Sequence, residues 1–213
     1  MHGLINRSIQ SFLRDTYGAA LWLRVARGAG LDFDSFEPML RYDDALTGAV
    51  LASATRILNR PLEGVLEDLG TYLVSHPNLE PLRRLLRFGG VTYLDFLQSL
   101  DDLPGRSRLA VPDLDLPQLE LIEEGGDQFT LVCRGGPRGF GLVMLGVLRA
   151  MADDYGALVL LDDSGVATTP AKMATDPPDR PATGEEERIA INLLDPAHAL
   201  GRRFELAASG GEA

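Results

Sequence analysis

The sequence predicts an α+β fold: a helical N-terminal half, then a small, mainly antiparallel sheet packed on one long helix. Three observations lead there. Apolar residues recur at helical spacing through roughly the first hundred positions. Two strand-like runs further on are joined through Gly125-Gly126-Asp127, a hairpin signal. Between later strand-like runs, Phe140 to Tyr155 is apolar around much of its circumference, as a buried helix is. Helices first and a small sheet afterwards is α+β order.

Leu4, Ile5, Ile9, Phe12 and Leu13 set the first helix, from residue 3 to about 16, and Gly18 breaks it. A second helix passes through Trp22, Leu23 and Val25 to a glycine stop at Gly28 and Gly30. Tyr42 to Leu58 is the third, with Leu46, Val50, Leu51, Ala54 and Leu58 on one side. Pro61 suits the first turn of a fourth, which carries Val65, Leu66, Leu69, Leu73 and Val74. Pro81 opens a short helix, and Tyr93 to Leu103 forms one more that Pro104-Gly105 ends. Gln118 to Glu123 and Phe129 to Cys133 are the hairpin strands. After the buried helix, capped by Gly156, Ala157 to Leu161 and Arg188 to Leu194 read as two further strands. The Pro-, Thr- and acid-rich stretch 164–187 between them reads as a mobile loop. Residues after Asp195 read as a loosely held tail.

The 213 residues suffice for one domain with a real core, or a domain and a tail. A formal net charge of -11 argues against nucleic-acid binding and against adhesion to an anionic membrane. Cys133 is the single cysteine, so no internal disulfide and no multi-thiol zinc site can form. No basic-then-apolar leader precedes the first helix, and no apolar run reaches the roughly 18 residues of a spanning helix. The expectation is a cytoplasmic protein.

Several motifs add a family resemblance. They are Met1-His2-Gly3-Leu4-Ile5-Asn6, Tyr42-Asp43-Asp44, Leu69-Gly70-x-Tyr72-Leu73-Val74, and Phe96-Leu97-x-x-Leu100-Asp101-x-Leu103. The Pro112 to Pro117 spacing and the run from Gly139 to Gly146 complete the series. Taken in order, they resemble the haem nitric oxide/oxygen-binding (H-NOX) domains, relatives of the soluble guanylate cyclase sensor domain. The resemblance covers roughly residues 1–195, with a helical part over 1–103, a sheet part over 112–195, and 196–213 as a flexible tail. It implies a haem cleft between the two parts. Ile5 and Pro117 match positions that press on the porphyrin. Val143 matches the distal position where oxygen-binding members carry a tyrosine donor, so an aliphatic there resembles the nitric-oxide-selective type. Ordinary core packing is the alternative reading of all three residues.

Two departures bear on haem. Pro104 stands where the family carries its proximal histidine, and a pyrrolidine ring has no lone pair to give to iron. The family's Tyr-x-Ser-x-Arg motif, which binds the propionates, becomes Cys133-Arg134-Gly135-Gly136-Pro137. Unpaired buried carboxylates are costly, and Arg134 or Arg138 is the candidate substitute. Of the three histidines, His2 lies at the first helix, His198 in the tail, and His76 before Pro77 at a helix end. His76 is the best alternative ligand, against a plain helix-end role; Cys133 reads as a buried apolar cysteine.

No Gly-x-Ser-x-Gly elbow is present, and the Gly135-Gly136-Pro137-Arg138-Gly139 loop lacks a P-loop ending. Acid pairs at Asp43-Asp44, Asp101-Asp102, Asp153-Asp154 and Asp162-Asp163 fall at element ends, where solvated carboxylates are common. Arg83, Arg84 and Arg87 form the one basic cluster, read as a solvated helix face, with a docking patch for an acidic partner or an anion site at the cleft rim as the functional alternative.

The expected function is a non-enzymatic sensory or regulatory module with a degraded haem site. It would act through a signalling partner such as a histidine kinase or a cyclic-dinucleotide enzyme, and its cleft would be filled by side chains or take an apolar small molecule. One alternative is a haem-binding nitric oxide sensor with an unusual axial ligand or none. A second is a small enzyme acting on an acidic or phosphorylated metabolite.

Overall fold

A computed structural model describes residues 1–167 and 186–194 of the chain. Eight α-helices and four strands lie among them: α1 (Gly3–Tyr17), α2 (Ala19–Gly28), α3 (Asp44–Leu58), α4 (Leu62–Ser75), α5 (Glu80–Arg87), α6 (Tyr93–Gln98), α7 (Leu103–Ala110), β1 (Gln118–Gly125), β2 (Gln128–Arg134), α8 (Phe140–Tyr155), β3 (Val159–Ala167) and β4 (Glu186–Leu193). The architecture is α+β. None of these helices is long and apolar enough to cross a membrane.

Local chemistry sets most boundaries. His2 starts α1, its Nδ1 accepting from the Leu4 N–H at 3.1 Å. Gly18 closes α1 at a φ of 93°, donating its N–H to the Arg14 carbonyl at 2.9 Å. Asp43 caps α3 by accepting from the Ala45 N–H at 2.9 Å. Thr92 and Asp95 form a reciprocal capping box on α6.

The sheet runs β1-β2-β4-β3 and every pairing is antiparallel. Leu131 sits at its middle, opposite Leu121 on β1 and Ile189 on β4. Phe129, Leu131 and Cys133 alternate along β2 and are all buried. Together with Ile189 and Ile191 they pack against Leu148, Met151 and Tyr155 of α8 and against Tyr93, Phe96 and Leu100. A second core forms among α1 to α4 around Phe12, Leu13, Trp22, Val25, Phe36 and Leu66.

Helix α8 serves both cores. Its Leu142 and Val143 pack on the helical one while Leu148 and Met151 belong to the sheet-side one, which is why its sequence is apolar on so many sides. It crosses α4 at glycine: a Cβ on Gly70 would stand 2.0 Å from the Val143 carbonyl oxygen, and one on Gly146 2.0 Å from that of Glu67.

Three expectations need correction. The stretch 93–103 is not one helix: α6 ends at Gln98, and two tight turns (Leu100 N–H to the Leu97 carbonyl, Leu103 N–H to the Leu100 carbonyl) lead into α7. Pro104 therefore opens α7 rather than closing a helix, which suits a residue without an N–H, because first-turn N–H groups have no intrahelical acceptor. The strands also reach further than their apolar runs. Residues 164–167 belong to β3 and 186–187 to β4, with Val166 paired to Glu187 and Ala167 to Glu186 beyond a register shift after Asp163. The rest of the expected mobile loop, and the tail, lie outside the described residues. Finally, Arg83 and Arg87 do not form a free solvated face. Both pair with the Asp154 carboxylate on α8, Arg87 at 2.7 Å.

Candidate functional site

Where α1, α4, α7 and α8 meet, they leave a cavity of about 310 Å³. Each helix contributes the residues of one face: Ile5 and Ile9 from α1, Leu66, Leu69 and Leu73 from α4, and Leu103 and Ser107 from α7. Val143, Met144 and Val147 enter from α8, and Pro117 closes the wall just before β1. Ile5, Pro117 and Val143, far apart in sequence, thus line one space. No phenol faces it among the described residues, so a bound gas would meet no tyrosine donor.

The hydroxyls on the wall are already engaged. Ser8 donates to the Leu4 carbonyl at 2.9 Å, Thr47 to the Asn6 Oδ1 at 2.7 Å, and Ser107 to the Pro104 carbonyl at 2.9 Å. Asp115 pairs with Arg108 at 3.3 Å. Among the described residues Arg138 is the one cationic side chain on the lining, and it is exposed.

Haem is the group the motifs imply, and the donor set can be tested against it. No imidazole, thiol or phenol lines the cavity among the described residues. Pro104 is buried, but Leu103 and Ser107, not Pro104, form the α7 wall. Met1 and Met144 bring thioethers to the lining; a thioether ligates haem iron in c-type cytochromes alongside an imidazole, and none is here. His76 caps α4 instead, its Nδ1 accepting from the Asn78 N–H at 3.4 Å and its ring 4.7 Å from that of Tyr72. His2 is spent on the start of α1, and His198 lies outside the described residues.

Cys133 is buried in the sheet-side core. Loss of solvation, with a smaller contribution from the charge of Glu187, pushes its thiol up to about 12. The side chain is therefore a neutral thiol near neutral pH, not a thiolate ligand. Because this folded-state value is raised, the associated stability is complete below the unfolded value near 9 and is lost as pH rises toward 12. Native protein at pH 8 is expected to resist an aromatic disulfide reagent for as long as it stays folded. Its urea midpoint is expected to drop between pH 8 and pH 10.5. Rapid labelling of native protein would contradict the burial.

On the propionate side Arg138 is left as a candidate partner, and the other candidates are spent. Arg134 is committed across the sheet to Glu186 at 2.7 Å and to Glu120. At the start of α8, where free N–H groups and the helix dipole favour an anion, the chain supplies its own. The Glu187 carboxylate accepts from the Gly139 N–H at 2.5 Å and from the Gly141 N–H. The residues present do not fit an iron-ligated haem. Sequence reasoning missed Glu187 because it joins α8 across 46 to 48 positions and carries no local signature.

Three of the four acid pairs have a member in a structural role. Asp43 caps α3, Asp101 accepts from the Leu121 N–H at 2.9 Å, and Asp154 receives Arg83 and Arg87. Among the described residues no three potential metal ligands come together.

Comparison with known proteins adds a relationship to this geometry. A family model described as Haem-NO-binding matches residues 2–160. Soluble guanylate cyclase gcy-31 of Caenorhabditis elegans is 25% identical over 154 residues, which are 72% of this chain and 22% of that protein. Soluble guanylate cyclase 89Db of Drosophila melanogaster is 22% identical over 158 residues, 74% of this chain and 24% of that one. The chain thus spans about a quarter of the length of these curated relatives. Among solved structures, a Cs H-NOX variant superposes with a TM-score of 0.72 at 14% identity, covering 92% of this chain and 98% of that one. An H-NOX variant of T. tengcongensis gives 0.72 at 14%, covering 92% and 99%. At that identity the likeness speaks for the fold.

Proposed function

Given that this chain belongs to the haem-NO-binding family, we propose that it is a regulatory module in which the family's cleft persists without its iron bond. It performs no chemistry of its own and acts by changing the activity of a protein partner, of the class of a histidine kinase or a cyclic-dinucleotide enzyme. The cavity supplies the signal, taking an apolar molecule in place of a gas-binding metal.

The observation that carries this reading is the cavity wall itself. It is apolar, and among the described residues it offers no imidazole, thiolate or phenolate. The commitment of Arg134 to Glu120 and Glu186, and of the α8 N-terminus to Glu187, supports it from the propionate side. The structural roles of Asp43, Asp101 and Asp154 support the absence of catalysis, because each carboxylate is already held by the fold. The similarity to roughly a quarter of each guanylate cyclase supports a regulatory segment that works on another catalytic unit.

Visible spectroscopy tests it. Protein expressed with excess haem supply and then purified is expected to show no Soret band approaching stoichiometry. A stoichiometric band that shifts on addition of nitric oxide overturns the reading. Pro104→His is expected to take up porphyrin only weakly, because the propionate side keeps a single free cationic partner, Arg138, while Arg134 and the α8 N-terminus are committed elsewhere. Full uptake by that variant would mean that the axial ligand was the sole loss.

A further inference from the structure

The cavity's polar groups are distributed so that they specify a kind of ligand. Inside, each hydroxyl is already bonded: Ser8 to the Leu4 carbonyl, Thr47 to Asn6, Ser107 to the Pro104 carbonyl. A ligand entering between Leu69, Leu73, Val143 and Val147 therefore meets no open hydroxyl donor, and a carboxylate or carbonyl placed there would be desolvated without a partner. Only hydrocarbon is accommodated at no such cost.

The rim is different. Arg138 is exposed, lines the cavity, and follows Pro137, whose ring fixes φ and stiffens the approach to it. The neighbouring charges are occupied. Arg134 is held by Glu120 and Glu186, Glu187 by the Gly139 and Gly141 N–H groups, and Asp115 by Arg108. Among the described residues no carboxylate is bonded to Arg138. A guanidinium at the mouth of an apolar chamber, with its neighbours already paired, matches an anionic head on an apolar tail.

We infer that this cavity binds an aliphatic monocarboxylate, a fatty-acid-like molecule whose tail lies between α4 and α8 and whose carboxylate meets Arg138 at the rim. The inference rests on the apolar-ligand reading above and adds the ligand's class and its recognising residue. One tail fits better than a flat dianion. The space is small, about 310 Å³, at the lower end of the roughly 300–1,000 Å³ range of ligand pockets, and the rim holds one guanidinium rather than two.

Isothermal titration of the whole protein with dodecanoate and with dodecanol, which shares the tail and lacks the charge, separates the parts. Dodecanoate is expected to bind at one per chain and about tenfold or more tighter than dodecanol, the worth of one charge-assisted hydrogen bond. Arg138→Gln is expected to abolish that difference while leaving dodecanol affinity unchanged. Val143→Phe, which fills the chamber, is expected to weaken both ligands, with circular dichroism confirming that the variant is folded. Equal affinities for the two ligands, indifferent to Arg138→Gln, would overturn the carboxylate assignment and leave the apolar-ligand reading intact. Binding of neither, in a protein that titrates haem to one equivalent with a Soret band, would overturn both. Binding of neither, with no haem uptake, would overturn this inference and the apolar-ligand reading together, with the cavity a packing gap, and would leave the loss of the iron bond standing.

Discussion

Gly146→Ala is expected to be among the most destabilising single-methyl additions the chain can suffer. A Cβ at that position would lie 2.0 Å from the Glu67 carbonyl oxygen and 2.9 Å from the Thr71 backbone nitrogen. Neither atom can rotate aside, so α4 and α8 must part. Overpacking costs typically about 1–3 kcal/mol where side chains can yield, and a backbone collision should reach the top of that range or pass it. Against a net stability of about 5–15 kcal/mol that is a large share. The damage should also reach the cavity, because Leu69, Leu73, Val143 and Val147 on the same two helices form its wall. Gly48→Ala is the control. It sits exposed within α3, and nothing lies within 4 Å of an added Cβ. There alanine is expected to stabilise by about 0.5–1 kcal/mol through helix propensity. Urea unfolding of the two variants checks the pair, and a Gly146→Ala protein as stable as its parent would refute the close crossing.

Tyr155→Ala is expected to cost about 3–5 kcal/mol, the usual toll for truncating a large buried aromatic. Tyr155 is fully buried at the C-terminal end of α8. Its ring stacks on Phe96 at 6.0 Å and meets Tyr93 edge-on at 6.2 Å. The Arg87 guanidinium lies 4.3 Å from its centroid, and its hydroxyl donates to the Gly90 carbonyl at 3.1 Å. One side chain thus fastens α8 to α5, to α6 and to the turn between them. Tyr155→Phe keeps the ring and loses the hydrogen bond, so it should cost only about 0.5–1.5 kcal/mol. The ratio between the two variants is the test. If Tyr155→Phe were as damaging as the alanine, the hydroxyl rather than the ring contacts would hold this corner. Hydrogen exchange should show α5 and α6 loosening first in the alanine variant.

Much of this architecture was legible in the sequence. The bounds expected for Phe140 to Tyr155 coincide with α8, because glycines flank it on both sides: Gly139 and Gly156 take φ values of 87° and 69° that other residues rarely adopt. The hairpin through Gly125-Gly126-Asp127 formed where its turn chemistry put it. Errors arose where a residue's local meaning depended on context. Pro104 reads as a stop, but proline suits a helix start equally well, and the turns from Gln98 decided between the two. Arg83 and Arg87 read as a solvated face because their partner, Asp154, lies about seventy positions away. The cavity follows the same pattern. Its residue types were visible, while the joining of Arg138, Ser107 and Val147 into one lining was not.

By itself the sequence determined the order and kind of most of the elements, α7 excepted, and that residue 104 cannot ligate a metal through its side chain. Both follow from short-range causes: periodicity, caps and turn residues act over a few positions, and a side chain that lacks a lone pair lacks it in every fold. Only the tertiary structure decided what those elements enclose. Glu187 fills the anion site at the start of α8, Gly70 and Gly146 let two helices touch, and one guanidinium at the rim has no carboxylate partner among the described residues. Such contacts join residues tens of positions apart, where nothing local in the chain encodes the pairing and packing alone selects it.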